Sequence, residues 1–266
     1  MRSRHPRSLV RVLLVGAAAA TLSCTAPSPT PPAPRPRAVI VGTSGDSPPY
    51  AMRRGEQIEG LEVDLAGELG KALERPIDIR DLPWDQLMDA LLSHQVDVVM
   101  AGVTVTPERE LRVAFGEPYL RTTIGALIRR EDAKRFAAPD AVCKGKLDVG
   151  FVAGTIGEKY LHQRCPEMIA RVYPKTSEAV LELRRHRIAA VAHDGRVLSW
   201  LLTEREADLT VVPTRLADQR LAWAFRRGDD DLRRAANAAL AGMRDDGTLA
   251  RVVDRWVPRE KRRRAD

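Results

Sequence analysis

The segment Val96 to Tyr119, VDVVMAGVTVTPERELRVAFGEPY, constrains the fold more than any other stretch, because it joins a buried strand to a capped helix start and then to a second extended run. Val96, Val98, Val99 and Met100 form a short apolar run of the kind buried in a parallel sheet. Thr106 followed by Pro107 is a helix start, since a Thr hydroxyl caps free backbone N–H groups and Pro is pre-set for the first helical position. Arg109 falls in that first turn. Ligands in open α/β sheets collect beyond the carboxyl ends of strands, so Gly102, Thr104 and Arg109 offer a backbone donor, a hydroxyl and a guanidinium fork to one carboxylate.

The rest of the chain alternates strands and helices, which predicts α/β architecture with parallel sheets and crossover helices. Strands are expected at Val39–Thr43, Ile77–Asp81, Val96–Met100, Gly125–Arg129, Leu147–Phe151, Ile188–Ala192, Leu209–Pro213 and Leu221–Phe225. Helices are expected at Glu62–Leu73, Trp84–Ser93, Thr155–Gln163, Ser177–His186, Asp230–Met243 and Thr248–Trp256. In the first of these, Val63, Ala66, Leu69, Gly70 and Leu73 share one stripe at helical spacing and should form the packed face.

Residues 1–23 have a basic start, an apolar run from Val12 to Ala20 and small residues before Cys24, the layout of a signal peptide, and the run is too short to span a bilayer. The TLSC before the expected cut resembles a bacterial lipobox, so Cys24 is expected to be a lipidation site and the protein a membrane-anchored lipoprotein; the alternative is that Cys24 leaves with the leader. Residues 24–37 are rich in proline and cannot build a core, which suits a tether. The formal charge of +7 falls to +3 once the leader arginines Arg2, Arg4, Arg7 and Arg11 are removed, too little to indicate a nucleic-acid partner. Cys143 and Cys165 then remain as an even pair in an exported chain, for which a disulfide is expected, with two buried free thiols as the alternative. The chain has no CxxC, HExxH, GxSxG or Walker glycine loop, so no metal, hydrolase or ATP chemistry is predicted and no cofactor.

The G-x-T-x-T-x-E-R pattern from Gly102 to Arg109, followed by F-x-x-P-Y, resembles the family 3 bacterial solute-binding proteins, the polar-amino-acid receptors of ABC importers. The resemblance extends over residues 39 to 257 through VGTSGDSPPY at Val41, GLEVDLAGELGKAL at Gly60, VGFVAGTIGEKY at Val149 and MRDDGTLARVVDRW at Met243. It implies the two-lobe periplasmic binding protein type II fold. Lobe 1 would hold residues 38–123 and 220–258, lobe 2 residues 124–219, with two crossings as the hinge of a closing clamp and a basic tail at 259–266.

Carried over position by position, the resemblance implies that the ligand α-carboxylate meets Arg109 and Thr104, with the Gly102 carbonyl turned to the α-amino group. Thr155, after Gly154 and before Ile156, would complete the carboxylate clamp at a helix N-terminus, and Asp194 would take the α-amino group. His193 beside it is similar to the arrangement in glutamine-binding relatives. Trp84 and Tyr50 are candidate apolar walls. The implied partners are an amino-acid ligand and an inner-membrane permease, for a periplasmic or cell-surface monomer. The alternative is an enzyme, because periplasmic cyclohexadienyl dehydratases look like the same fold and share the G-D at Gly45 and Asp46, the E-R at Glu108 and Arg109 and a late acid like Asp194; Asp46 or His193 would then supply a general acid. A lytic transglycosylase is disfavoured, since the chain ends before a glycosidase domain.

Overall fold

In a computed structural model, residues 36–138, 141–203, 208–213 and 219–257 are described. The chain runs β1 (Val39–Thr43), β2 (Asp46–Ser47), β3 (Ala51–Arg54), β4 (Gln57–Glu59), α1 (Leu61–Ala72), β5 (Ile77–Asp81), a 3-10 turn at Trp84–Gln86, α2 (Leu87–Leu92), β6 (Val98–Val99), α3 (Pro107–Glu110), β7 (Ala114–Phe115) and β8 (Leu120–Thr122). It continues through β9 (Ile124–Arg129), β10 (Asp148–Val152), α4 (Ile156–Arg164), β11 (Ile169–Tyr173), α5 (Thr176–Arg184), β12 (Ala190–Asp194), α6 (Gly195–Thr203) and β13 (Leu209–Pro213). Then come β14 (Gln219–Leu221), β15 (Ala224–Phe225), α7 (Asp230–Asp245) and α8 (Thr248–Trp256).

Among the described residues ten of these strands form two five-stranded sheets, one per lobe, while β2, β3 and β4 form a three-stranded sheet and β8 pairs with β14. The first has the order β5-β1-β6-β15-β7, with β1 parallel to β5 and β6 and with β15 antiparallel to both β6 and β7. The second has the order β11-β10-β12-β9-β13, with β10 parallel to β11 and β12 and with β9 antiparallel to both β12 and β13. In each sheet the antiparallel strand is the one the chain enters after passing between lobes, through β8 on the way out and β14 on the way back. Those two strands pair antiparallel, Leu120 opposite Leu221 and Thr122 opposite Gln219.

Both lobes bury apolar cores. Val39, Val41, Leu61, Leu65, Leu69, Val98, Met100 and Trp223 pack together beneath the first sheet, while Ile124, Ile128, Phe151, Tyr160 and Leu161 do so beneath the second. Fully burying one such side chain contributes roughly 1.5–3 kcal/mol. Cys143 and Cys165 are joined by a disulfide, with Cα atoms 4.3 Å apart, and Cys165 is fully buried in the second core.

Several elements differ from expectation. The buried face of α1 is Leu61, Glu62, Leu65, Ala66, Leu69 and Gly70, so Leu65 and the acid Glu62 belong to it, whereas Val63 and Leu73 are half-buried. The expected strand Leu221–Phe225 breaks into β14 and β15, because Ala222 donates its N–H to Val103 O and Trp223 O accepts from Gly116 N–H, two different neighbours. The helix expected from Trp84 begins as a 3-10 turn, and β6 is shorter than Val96–Met100, although Asp97 N–H to Ile40 O at 2.7 Å and Met100 N–H to Gly42 O at 2.9 Å extend its pairing. Cys24, the leader, the tether as far as residue 35 and the basic tail at 259–266 lie outside the described residues, as does part of the return crossing.

Candidate functional site

The carboxyl ends of β1, β6, β10 and β12 face one cavity of about 780 Å³ between the lobes. Lobe 1 lines it with Ser44, Tyr50, Trp84, Gly102, Thr104 and Arg109, and lobe 2 with Thr155, Ile156, His193 and Asp194. Every residue named from the sequence as a ligand contact therefore reaches this one space.

Gly102 turns the chain after β6 in the left-handed region, at φ +69°. A Cβ there would lie 2.5 Å from the Tyr50 ring, so the turn and the ring require glycine together. The Gly102 N–H donates to Glu62 Oε1 at 2.7 Å. Two residues on, Thr104 is buried and bridges Leu221. Thr106 caps α3 as expected, its hydroxyl accepting the Arg109 N–H at 3.3 Å.

Arg109 reaches across the cleft. One guanidinium nitrogen donates to Thr104 O and another to Gly154 O, both at 2.8 Å, and the guanidinium carbon stands 5.7 Å from the centre of the Trp84 ring. Burial lowers its pKa to about 10, so it stays cationic at neutral pH. Beside it, Lys159 of α4 pairs with Glu108 of α3, which is held at about 2 chiefly by that hydrogen bond.

The second lobe supplies the opposite charge. Asp194 ends β12 and is buried. Its Oδ1 accepts the Arg196 N–H at 2.8 Å, the Val197 N–H at 3.2 Å and the Tyr50 hydroxyl at 3.1 Å, whereas the buried Oδ2 has no hydrogen-bond partner among the described residues. Burial raises the Asp194 pKa against the Arg196 N–H, the Thr122 side chain, the Val197 N–H and the Tyr50 hydroxyl, which all favour its charge. His193 is also buried, which pushes its pKa down to about 4 and leaves it neutral; its Nδ1 accepts the Asp194 N–H at 2.8 Å, so the remaining proton sits on Nε2. α4 is drawn close to this pair, since a Cβ at Gly157 would lie 2.4 Å from Ala192 O.

The start of α4 is not the open donor set the sequence suggests. The Gly154 N–H donates to Glu158 Oε2 at 2.7 Å and the Thr155 hydroxyl donates to Val152 O at 2.7 Å, so both are occupied. The N–H groups of Ile156 and Gly157 belong to the first turn, which has no intrahelical acceptors. Ser47 and Asp46 also line the cavity, with Lys175 and Thr176 from the start of α5. Asp46 is half-buried and its pKa is raised by burial, opposed by the Lys175 charge and by the Thr176 N–H that it accepts.

The family model for bacterial extracellular solute-binding proteins, family 3, matches residues 39–259. The chain belongs to that family. Among the relatives of this family 3 protein, the L-cystine-binding protein TcyJ of Escherichia coli (strain K12) is 31% identical over 219 residues, covering 82% of each chain. The arginine-binding extracellular protein ArtP of Bacillus subtilis (strain 168) is 32% identical over 227 residues, 84% of this chain and 87% of its own. Among solved structures, the ancestral amino acid-binding protein AncCDT-1, described as a precursor of cyclohexadienyl dehydratase, superposes with a TM-score of 0.77 at 28% identity, covering 83% of this chain and 95% of that one. The two lobes and the cleft between them are thus those of a type II periplasmic binding protein.

The sequence reading of this family 3 protein missed Glu62, which lies outside the cavity and holds the Gly102 turn. Its signal was present, since Glu62 lies on the same helical face as Leu65, Ala66 and Leu69, where a charged residue has no place unless it is paired.

Proposed function

We propose that the protein is the substrate-binding component of an ABC importer and takes one amino acid or close analogue between its lobes. The observation that carries this is the meeting of Arg109 and Asp194, opposite charges from opposite lobes, on one cavity in which Asp194 Oδ2 lacks a partner. A buried carboxylate oxygen without a donor is costly, and a ligand ammonium supplies one. Arg109 and Thr104 take the α-carboxylate, Asp194 the α-ammonium, and Trp84, Tyr50 and Ile156 the apolar part, with His193 Nε2–H as a neutral donor. The ligand then draws the lobes together about the crossings at β8 and β14. The named ligands of the relatives make L-arginine and L-cystine the first probes.

The test is calorimetry with these two and other amino acids, paired with small-angle scattering. Binding with a smaller radius of gyration and recovery of the ligand unchanged is expected. The enzyme reading keeps one favouring observation, the likeness to a dehydratase precursor, and conversion of prephenate to phenylpyruvate without amino-acid binding would establish it instead.

The protein acts outside the inner membrane as a monomer, and Cys24 carries its lipid anchor. Labelled palmitate should enter the wild type, and Cys24→Ser should release it from the membrane fraction. An unlabelled soluble wild type overturns the anchor alone.

A further inference from the structure

We propose that Glu62 is a positioning residue that couples the ligand-gripping turn to both interlobe strands, an inference that rests on the receptor reading above. Its carboxylate is buried on the core face of α1 and takes three donors from three distant segments. Oε1 accepts the Gly102 N–H at 2.7 Å and the Tyr119 hydroxyl, and Oε2 accepts Trp223 Nε1–H at 3.0 Å. Gly102 begins the segment that carries Thr104 and then, on α3, Arg109. Tyr119 directly precedes β8, the outgoing crossing strand, and Trp223 follows β14, the returning one. The Tyr119 and Trp223 rings also stack, with centroids 5.9 Å apart. One carboxylate therefore fixes the binding turn and the lobe 1 anchors of both crossings relative to each other.

The consequence is mechanical. An acid whose two oxygens are engaged by two N–H groups and a hydroxyl holds its partners in one arrangement, and a displacement of any of them costs the others. Ligand contact at Thr104 and Arg109 presses on the loop that starts at Gly102, and Glu62 passes that displacement to the roots of β8 and β14. Apolar packing at the same place would fill the space without setting direction or register.

Glu62→Gln tests this, because the amide offers one acceptor oxygen in place of two. However it is turned, its NH2 faces either Gly102 N–H or Trp223 Nε1–H. We expect Glu62→Gln to weaken binding of L-arginine or L-cystine, whichever the wild type binds, by tenfold or more, to reduce ligand-driven compaction in scattering, and to move the Gly102 amide proton upfield in NMR spectra. Adding Trp223→Phe removes the opposing donor, and the double variant should return to within threefold of Trp223→Phe alone. A Glu62→Gln protein that melts at a lower temperature yet binds and compacts as the wild type does overturns the proposal and leaves Glu62 a core residue. Should that variant fail to fold, Tyr119→Phe and Trp223→Phe each remove one donor while keeping the ring, and wild-type binding and compaction in both overturns it equally. If the wild type binds no amino acid, the receptor reading fails, and the coupling is judged by the amides of Gly102, Thr122 and Leu221: all three shift in Glu62→Gln if it holds, and Gly102 alone shifts if it does not.

Discussion

The Tyr50 hydroxyl donates to Asp194 Oδ1 at 3.1 Å, joining residues 144 apart in sequence and belonging to different lobes. Both groups are buried, and burial together with the neighbouring acid raises the Tyr50 pKa well above its ordinary value, so the phenol is the donor throughout the accessible pH range. The same Oδ1 takes two N–H groups of α6, while the buried Oδ2 has no hydrogen-bond partner among the described residues.

Tyr50→Phe deletes this bond and keeps the ring that fits against Gly102. One such hydrogen bond is worth about 1–2 kcal/mol, so amino-acid affinity should fall roughly five- to thirtyfold. The unliganded variant should also show a larger radius of gyration. Unchanged affinity and size would mean that the bond does not contribute to closure.

Arg109→Ala should abolish tight binding and leave the unfolding transition cooperative. Losing one partner of a desolvated charge pair costs roughly 2–5 kcal/mol, on the order of 30-fold to several-thousand-fold in affinity. Calorimetry on the variant decides it, and near-normal affinity removes Arg109 from the grip.

His193 makes stability depend on acid. Its folded pKa of about 4 lies below the ordinary 6.5, so between these values the unfolded chain holds the proton and the folded one does not. Its contribution is complete above about pH 6.5 and is lost as pH falls toward 4. The raised pKa values of Asp194, Glu62 and Asp46 act in the opposite direction, so the readout is a difference. His193→Gln should lose less melting temperature than the wild type between pH 7 and pH 4.5, and equal losses would refute a buried neutral imidazole.

Breaking the Cys143–Cys165 bridge frees a loop with a sequence separation of 22, worth roughly 3 kcal/mol by loop closure. Dithiothreitol should lower the unfolding midpoint measured by circular dichroism, and Cys143→Ser/Cys165→Ser should match the reduced wild type and ignore the reductant. An identical midpoint with and without reductant would show that the bridge adds nothing.

Much of this was legible in the chain. β1, β5, β13 and α8 have the bounds their patterns predict, because each is a continuous run with a clear stop. β11 gives no sequence signal, since it is an edge strand whose Ile169 to Val172 are exposed and it shows no buried face to alternate against. The hairpin of β2 to β4 is too short for a pattern and begins with Pro48 and Pro49 between its first strands. α6 is not plain in the sequence although Asp194 marks its start, because the acid reads as a ligand group, whereas its Oδ1 also receives the N–H groups of Arg196 and Val197. At the site, local motifs marked Thr104 and Arg109. The bonds from Tyr50 to Asp194 and from Glu62 to Trp223 span 144 and 161 residues, and no window along the sequence contains both partners.

The position of β15 between β6 and β7 sets an order of assembly. The second sheet is built from one unbroken length of chain and can close as soon as β13 has been made. The first sheet must wait with a gap at its centre until Phe225 arrives to pair with both Val98 and Ala114. A chain that has paired its strands as far as β13 but not yet placed β15 therefore holds a complete second sheet beside a first sheet whose β6 and β7 edges are bare, and bare edges are what a second chain pairs with.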